Sequence, residues 1–195
     1  MELDKGWKTW LCDKSAYGHT DNAPTVVDIP HNWDDYYGYR QLTHGNLHGT
    51  AMYEKTFTLD NSQFPISDSS FGKRYFLRFE GVGTYATVTL NGKDFGRHPV
   101  GRTTLTLDVT EALKPGENRL VVKAEHPEMI ADMPWVCGGC SSEWGFSEGS
   151  QPLGIFRPVV LEATDAIRIE PFGVHIWNDD NAGTVFVCLL YTSPS

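Results

Sequence analysis

Apolar and polar residues alternate with a period of two along most of the chain after residue 50. That spacing belongs to a half-buried β-strand, whose side chains point to opposite faces in turn. Ala51, Tyr53, Phe57 and Leu59 share one face of a first such stretch, and Tyr75, Leu77 and Phe79 share one face of a second. Ala86, Val88 and Leu90 alternate with threonines as far as Asn91-Gly92, a pair that tolerates positive φ and predicts a tight hairpin. Leu105, Leu107 and Val109 repeat the pattern, followed by Leu120, Val122 and Ala124, then by Ile155 to Ala163 and by Ile167 to Trp177. Between these runs, Asp108-Val-Thr-Glu111 offers a capping-box start for one helical turn, which Pro115-Gly116 ends. No longer stretch carries a 3.6-residue apolar repeat, so the many short strands predict an all-β chain built as an antiparallel β-sandwich.

Two segments break the rhythm. His126 to Leu153 shows no strand alternation and is longer than loops in compact domains usually run. It holds Trp135, Trp144, Phe146, Asp132, Glu143 and Glu148. Its aromatics and prolines predict an ordered loop, because aromatic burial offsets the entropy of fixing so long a segment. The first 48 residues are also aromatic and poorly periodic, and they predict an extended wrap over the sandwich.

Composition narrows the picture further. The chain has 195 residues, 40% of them hydrophobic, enough for one domain with a proper core and a fragment of a second. Its net charge is −9, with no basic run to neutralise phosphates or anionic lipid, which points away from nucleic acid and membrane surfaces as partners. Met1-Glu2-Leu3-Asp4-Lys5 lacks the basic and apolar regions of a signal peptide. Four cysteines in a chain of this size do not make a disulfide scaffold. Cys137-Gly-Gly-Cys140 has a suggestive spacing but lacks the second pair of a structural zinc site and the βαβ setting of a redox site.

Several motifs fail on context. Gly81-Val-Gly83-Thr-Tyr-Ala86 matches a dinucleotide fingerprint and follows a strand, yet β-branched residues and a turn come next, where a phosphate-binding helix would have to start. The glycines then serve a sheet bend. His44 and His48 have a spacing that joins metal ligands only on a helix, and Gly45 and Gly49 argue against one. Solvated loop histidines are expected instead, with no metal and no cofactor. The chemistry left standing is carbohydrate binding, because sugars stack apolar faces on Trp and offer hydroxyls to carboxylates. The aromatic, acidic loop 132–148 suits it, although a buried structural loop would share the same composition.

The chain resembles glycoside hydrolase family two in its N-terminal sugar-binding domain. The motifs that carry this are Asp28-Ile-Pro-His-Asn-Trp33-Asp34, Tyr53-Glu-Lys-Thr-Phe57 and Phe71-Gly-Lys-Arg-Tyr-Phe-Leu-Arg-Phe-Glu-Gly-Val82. Ala86-Thr-Val-Thr-Leu-Asn-Gly92, Asp108-Val-Thr, Asn118-Arg-Leu-Val-Val122 and Gly154-Ile-Phe-Arg157 extend it, in the family's order, from about Gly6 to Ala163. The resemblance implies a galactose-binding-like jelly-roll sandwich over residues 1–165 and the opening strands of an immunoglobulin-like sandwich over 166–187. It also implies a parent enzyme, a retaining β-glycosidase most like β-galactosidase, whose acid/base and nucleophile glutamates lie in a barrel that this chain lacks, so no catalytic residue is expected here. In relatives an aspartate six residues before the glycine of G-I-x-R reaches the glycone, and here that position is Glu148. Glu148, Trp135, Trp144 and Phe146 are therefore the expected substrate contacts, while Trp33, Tyr53 and Arg157 are expected to be architectural, with Arg157 pairing a carboxylate near the loop base.

A freestanding lectin-like module and a purely structural domain are the competing expectations. Residues 188–195 stand apart: TGT CTC TTA TAC ACA TCT CCG AGC, a transposase-adapter sequence, encodes them in order, so they are expected to be non-native.

Overall fold

The computed structural model describes residues 1–12, 23–33, 48–60, 72–101, 103–127, 129–130, 140–141 and 152–192. Among them every regular element is a strand and every strand pairing is antiparallel. β1 (Trp7–Leu11), β2 (Thr25–Val27) and β3 (Gly49–Leu59) come first. β4 (Arg74–Phe79), β5 (Val82–Gly83), β6 (Tyr85–Leu90), β7 (Lys93–Pro99) and β8 (Leu105–Asp108) follow in close succession. After β9 (Gly116–His126) come two short pieces, β10 (Met129–Ile130) and β11 (Cys140–Ser141). β12 (Gly154–Ile155), β13 (Val159–Thr164), β14 (Arg168–Asp179) and β15 (Thr184–Thr192) complete the order.

A six-stranded sheet in the order β2-β1-β3-β9-β6-β7 faces a three-stranded sheet in the order β13-β4-β8. The alternation predicted from the sequence supplies the interface. Ala51, Tyr53, Phe57 and Leu59 of β3, with Leu120, Val122 and Ala124 of β9, are buried from one side, and Tyr75, Leu77 and Phe79 of β4 from the other. This is the jelly-roll sandwich that the pattern and the motifs anticipated. On the outer face of β4, between the half-buried Arg74 and Arg78, Phe76 is buried as well, under the guanidinium of Arg168, 3.2 Å from the ring centroid.

Local chemistry matches the expectations at two turns. Asn91 and Gly92 take φ of 52° and 88° and join β6 to β7 as the hairpin signal predicts. Asp108 Oδ1 accepts from the Thr110 backbone N–H, and Leu113 N–H donates to Val109 O at 3.1 Å, a single helical-type turn. The box itself is incomplete, because Glu111 pairs with Lys93 at 2.9 Å.

Three expectations need correction. The first 48 residues are not only a wrap: β1 and β2 belong to the large sheet, and the buried Thr9 between Trp7 and Leu11 hid the alternation. The long irregular segment contains β10 paired with β11. Ile155 to Ala163 is two strands, since Pro158 interrupts the run and β12 leaves to pair with β5.

Register fixes which loops share an end of the sandwich. Leu11 lies beside Ala51, Gly49 beside His126, and Tyr85 beside both Glu125 and Pro99, so β1, β7 and β9 finish where β3 and β6 begin. Cys12 N–H donates to Thr50 O and Trp33 N–H to Leu153 O, both at 2.8 Å, which brings the described residues flanking 13–22, 34–47 and 128–151 to this loop end. At the opposite end lie Asn91-Gly92, the 109–115 turn, and Asp165, held by Lys73 at 2.6 Å. From there β14 and β15 form a separate hairpin whose pairing runs to Arg168 opposite Thr192 and includes Cys188 opposite His175.

Candidate functional site at the loop end

The motifs scattered along the sequence meet at the loop end. Gly154-Ile155 of β12 pairs with Val82-Gly83 of β5, and His31 N–H reaches across to Ile155 O at 2.8 Å. His31 Nδ1 and the Tyr53 hydroxyl are hydrogen-bonded at 2.8 Å, and the Trp33 ring meets the His31 ring edge-on at 5.6 Å between centroids. Trp33 Nε1 donates to Thr9 Oγ1 at 3.2 Å. The backbone must come very close here. A Cβ on Gly154, whose φ is +144°, would stand 2.5 Å from Tyr53 Oη and 2.7 Å from His31 O. On Gly83 it would stand 1.9 Å from Pro152 O, and on Gly81 2.9 Å from the Phe156 ring. Gly81 and Gly83 therefore allow a sheet bend over the G-I-F-R segment, as expected, and no helix follows them. Trp33 and Tyr53 are braces for this end, as expected. The Arg157 guanidinium lies over the Phe156 ring at 5.7 Å.

The expected substrate contacts Trp135, Trp144, Phe146 and Glu148 lie outside the described residues, as do Asp132, Glu143, His44 and Cys137. What is fixed is the position of both roots of their loop: His126, beside Gly49, and Gly154, beside Gly83.

Beside those roots the loop end holds a cleft of about 320 Å³, lined by His48, Gly49, Thr50, Arg97, Glu125, His126 and Pro127. His48 is half-buried against His126, ring centroids 4.9 Å apart, so it is not the solvated loop histidine anticipated. His126 is fully buried. It continues the inward series Asn118, Leu120, Val122 and Ala124, and that periodicity was the signal by which it could have been found. Arg97 Nε bonds Glu125 at 3.2 Å while its guanidinium lies 3.6 Å from the Tyr85 ring centroid. Among the described residues no three His, Cys, Asp or Glu side chains converge as metal ligands. Carboxyls held below their usual range lie outside the cleft: Asp28 through the Gly6 N–H and Lys5, Glu54 through Arg119.

Residues 33–133, just over half the chain, match the family described as glycosyl hydrolase 2 galactose-binding domain-like. The chain belongs to that family. Among relatives of this galactose-binding-like domain, a β-glucuronidase of Bacteroides fragilis is 32% identical over 146 residues, which covers 74% of this chain and 18% of the relative. A β-galactosidase of Bacteroides ovatus is 28% identical over 185 residues, covering 90% and 19%. The domain thus spans less than a fifth of these curated relatives. A solved structure described as a putative β-galactosidase from Bacteroides fragilis superposes with a TM-score of 0.70 at 28% identity, covering 92% of this chain and 26% of that one.

Proposed function

We propose that this domain forms the sugar-binding rim of a retaining β-glycosidase, a hydrolase of O-glycosidic bonds whose two catalytic carboxyls, about 5 to 5.5 Å apart, are supplied from outside this chain. In this reading Glu148 accepts a hydrogen bond from a glycone hydroxyl, and Trp135, Trp144 and Phe146 shape the pocket entrance. The observation that carries it is the convergence at one end of the D-I-P-H-N-W, Y-E-K-T-F and G-I-F-R segments, from which the Trp- and Glu-bearing loop departs. The names of the relatives, β-glucuronidase and β-galactosidase, support the reaction class.

Residues 166–187 belong, in the same reading, to an immunoglobulin-like sandwich. Support comes from β14 and β15, which expose Ile176, Trp177, Phe186 and Val187 at 43–66%. Such strands suit the interior of a larger sandwich, where both faces are covered.

The deciding experiment is the Glu148→Gln substitution in the full-length parent. Loss of a charge-assisted bond to the glycone is expected to lower kcat/KM by about tenfold or more while Tm stays unchanged. Unchanged kinetics would overturn the role of Glu148.

A further inference from the structure

The sequence holds one Asn-Gly pair, and the structure places it at the far end of the sandwich as the two-residue turn between β6 and β7. Such a pair carries its own chemistry, because a glycine has no Cβ to keep its backbone nitrogen away from the preceding side chain. The Gly92 nitrogen can attack Asn91 Cγ, closing a five-membered succinimide as the Cγ–Nδ2 bond breaks and ammonia leaves. Water then opens the ring at one carbonyl or the other, which leaves aspartate, or isoaspartate with the main chain running through the side chain.

The fold bears on both ends of this reaction. Attack needs the Asn91 side chain to swing onto its own backbone, and here that amide is fastened elsewhere. Nδ2 donates to Ala112 O at 2.8 Å and to Asn118 Oδ1 at 2.7 Å, and Oδ1 accepts from the Arg119 N–H at 2.9 Å. Gly92 is exposed, so the amide is protected by being held rather than by exclusion of water. The product does not fit the same place. A carboxylate at position 91 has no hydrogen for Ala112 O or Asn118 Oδ1. The buried Asn118 cannot answer by turning its amide over, since its Nδ2 donates to Lys114 O and Gly116 O while its Oδ1 accepts from the Lys114 N–H. We propose that Asn91-Gly92 is a deamidation site gated by the fold: closed while the β6–β7 turn is docked on Asn118, opened by unfolding, and, once converted, unable to dock again.

The test incubates the 195-residue chain at mildly alkaline pH, folded and in urea, and follows the tryptic peptide Phe79–Lys93 by mass and for isoaspartate. Conversion in the folded chain is expected to be about tenfold or more slower, and to rise with urea as the opened fraction does. Asn118→Ala, incubated without urea, should speed it by about tenfold. Asn91→Asp, one of the two products, should lower Tm relative to the unsubstituted chain. The acceptors facing that carboxyl raise its folded pKa, so the deficit should shrink as pH falls through about 4 and the regained proton supplies a donor. Equal rates in the folded and unfolded chain, an unfolded chain that keeps Asn91 intact, or an Asn91→Asp chain with unchanged Tm or a deficit independent of pH overturns the proposal.

Discussion

Gly154 shows how much one missing methyl group decides at the loop end. Its Cβ would collide with Tyr53 Oη, His31 O and Asn32 Cα, at 2.5, 2.7 and 3.0 Å, and its φ of +144° is foreign to L side chains. Gly154→Ala is expected to cost roughly 2–4 kcal/mol by combining overpacking with backbone strain, read as a lowered midpoint in urea. Gly92→Ala is the comparison, because it meets nothing within 4 Å and carries only the strain of φ +88°. Its loss should be about 1 kcal/mol. The sequence named Gly154 through its motif and Gly81 and Gly83 through a false fingerprint. The reason each must be glycine is a contact between segments far apart in the chain, which no local pattern encodes. His48 and His126 illustrate the same point: they lie far apart in the chain and meet because Gly49 pairs with His126 in the β3–β9 register.

At the scale of elements, Asn118 is the polar plug of the far end. Its side chain is fully buried, accepts from Asn91 Nδ2 at 2.7 Å and Lys114 N at 3.0 Å, and donates to Lys114 O at 2.8 Å and Gly116 O at 3.0 Å. It ties the start of β9 to the 109–115 turn and the β6–β7 hairpin. Asn118→Ala strands those partners in a buried setting, and about 2–4 kcal/mol should be lost, visible as a lower Tm. Strands were the most legible level of the structure where they alternate against the common core, as β3, β6, β8 and β9 do, whereas the exposed β7 carries no such pattern. β1 and β2 were not, since Thr9 is buried as a polar residue and β2 has only three residues. Nor did the pattern show that Pro158 divides Ile155 to Ala163. The substrate contacts expected on the Trp-rich loop rested on composition and on resemblance, and neither fixes where a side chain in a long loop sits.

For the molecule as a whole, stability should fall in acid. Burial pushes the Asp108 carboxyl up, but hydrogen bonds from the Thr110 side chain and backbone and from Arg74 outweigh it and leave the group low. Asp28 and Glu54 are held low as well, by the Gly6 N–H with Lys5 and by Arg119 respectively. A carboxyl whose folded pKa is depressed stabilises the fold above its unfolded pKa, near 4, and that contribution is lost as pH falls through the folded value. Tm is therefore expected to drop below about pH 4, and Asp108→Asn should flatten part of that slope.

The β14–β15 hairpin also governs how this chain behaves in a test tube. Trp177 and Phe186 stack at 5.4 Å on a ribbon whose Ile176, Val185 and Val187 are 61–66% exposed. Apolar ribbons with open edges recruit further strands, so the dissolved chain should aggregate with rising concentration. Ile176→Lys places a charge on that ribbon, and static light scattering should show the onset of aggregation moving to higher protein concentration, with the sandwich core unchanged.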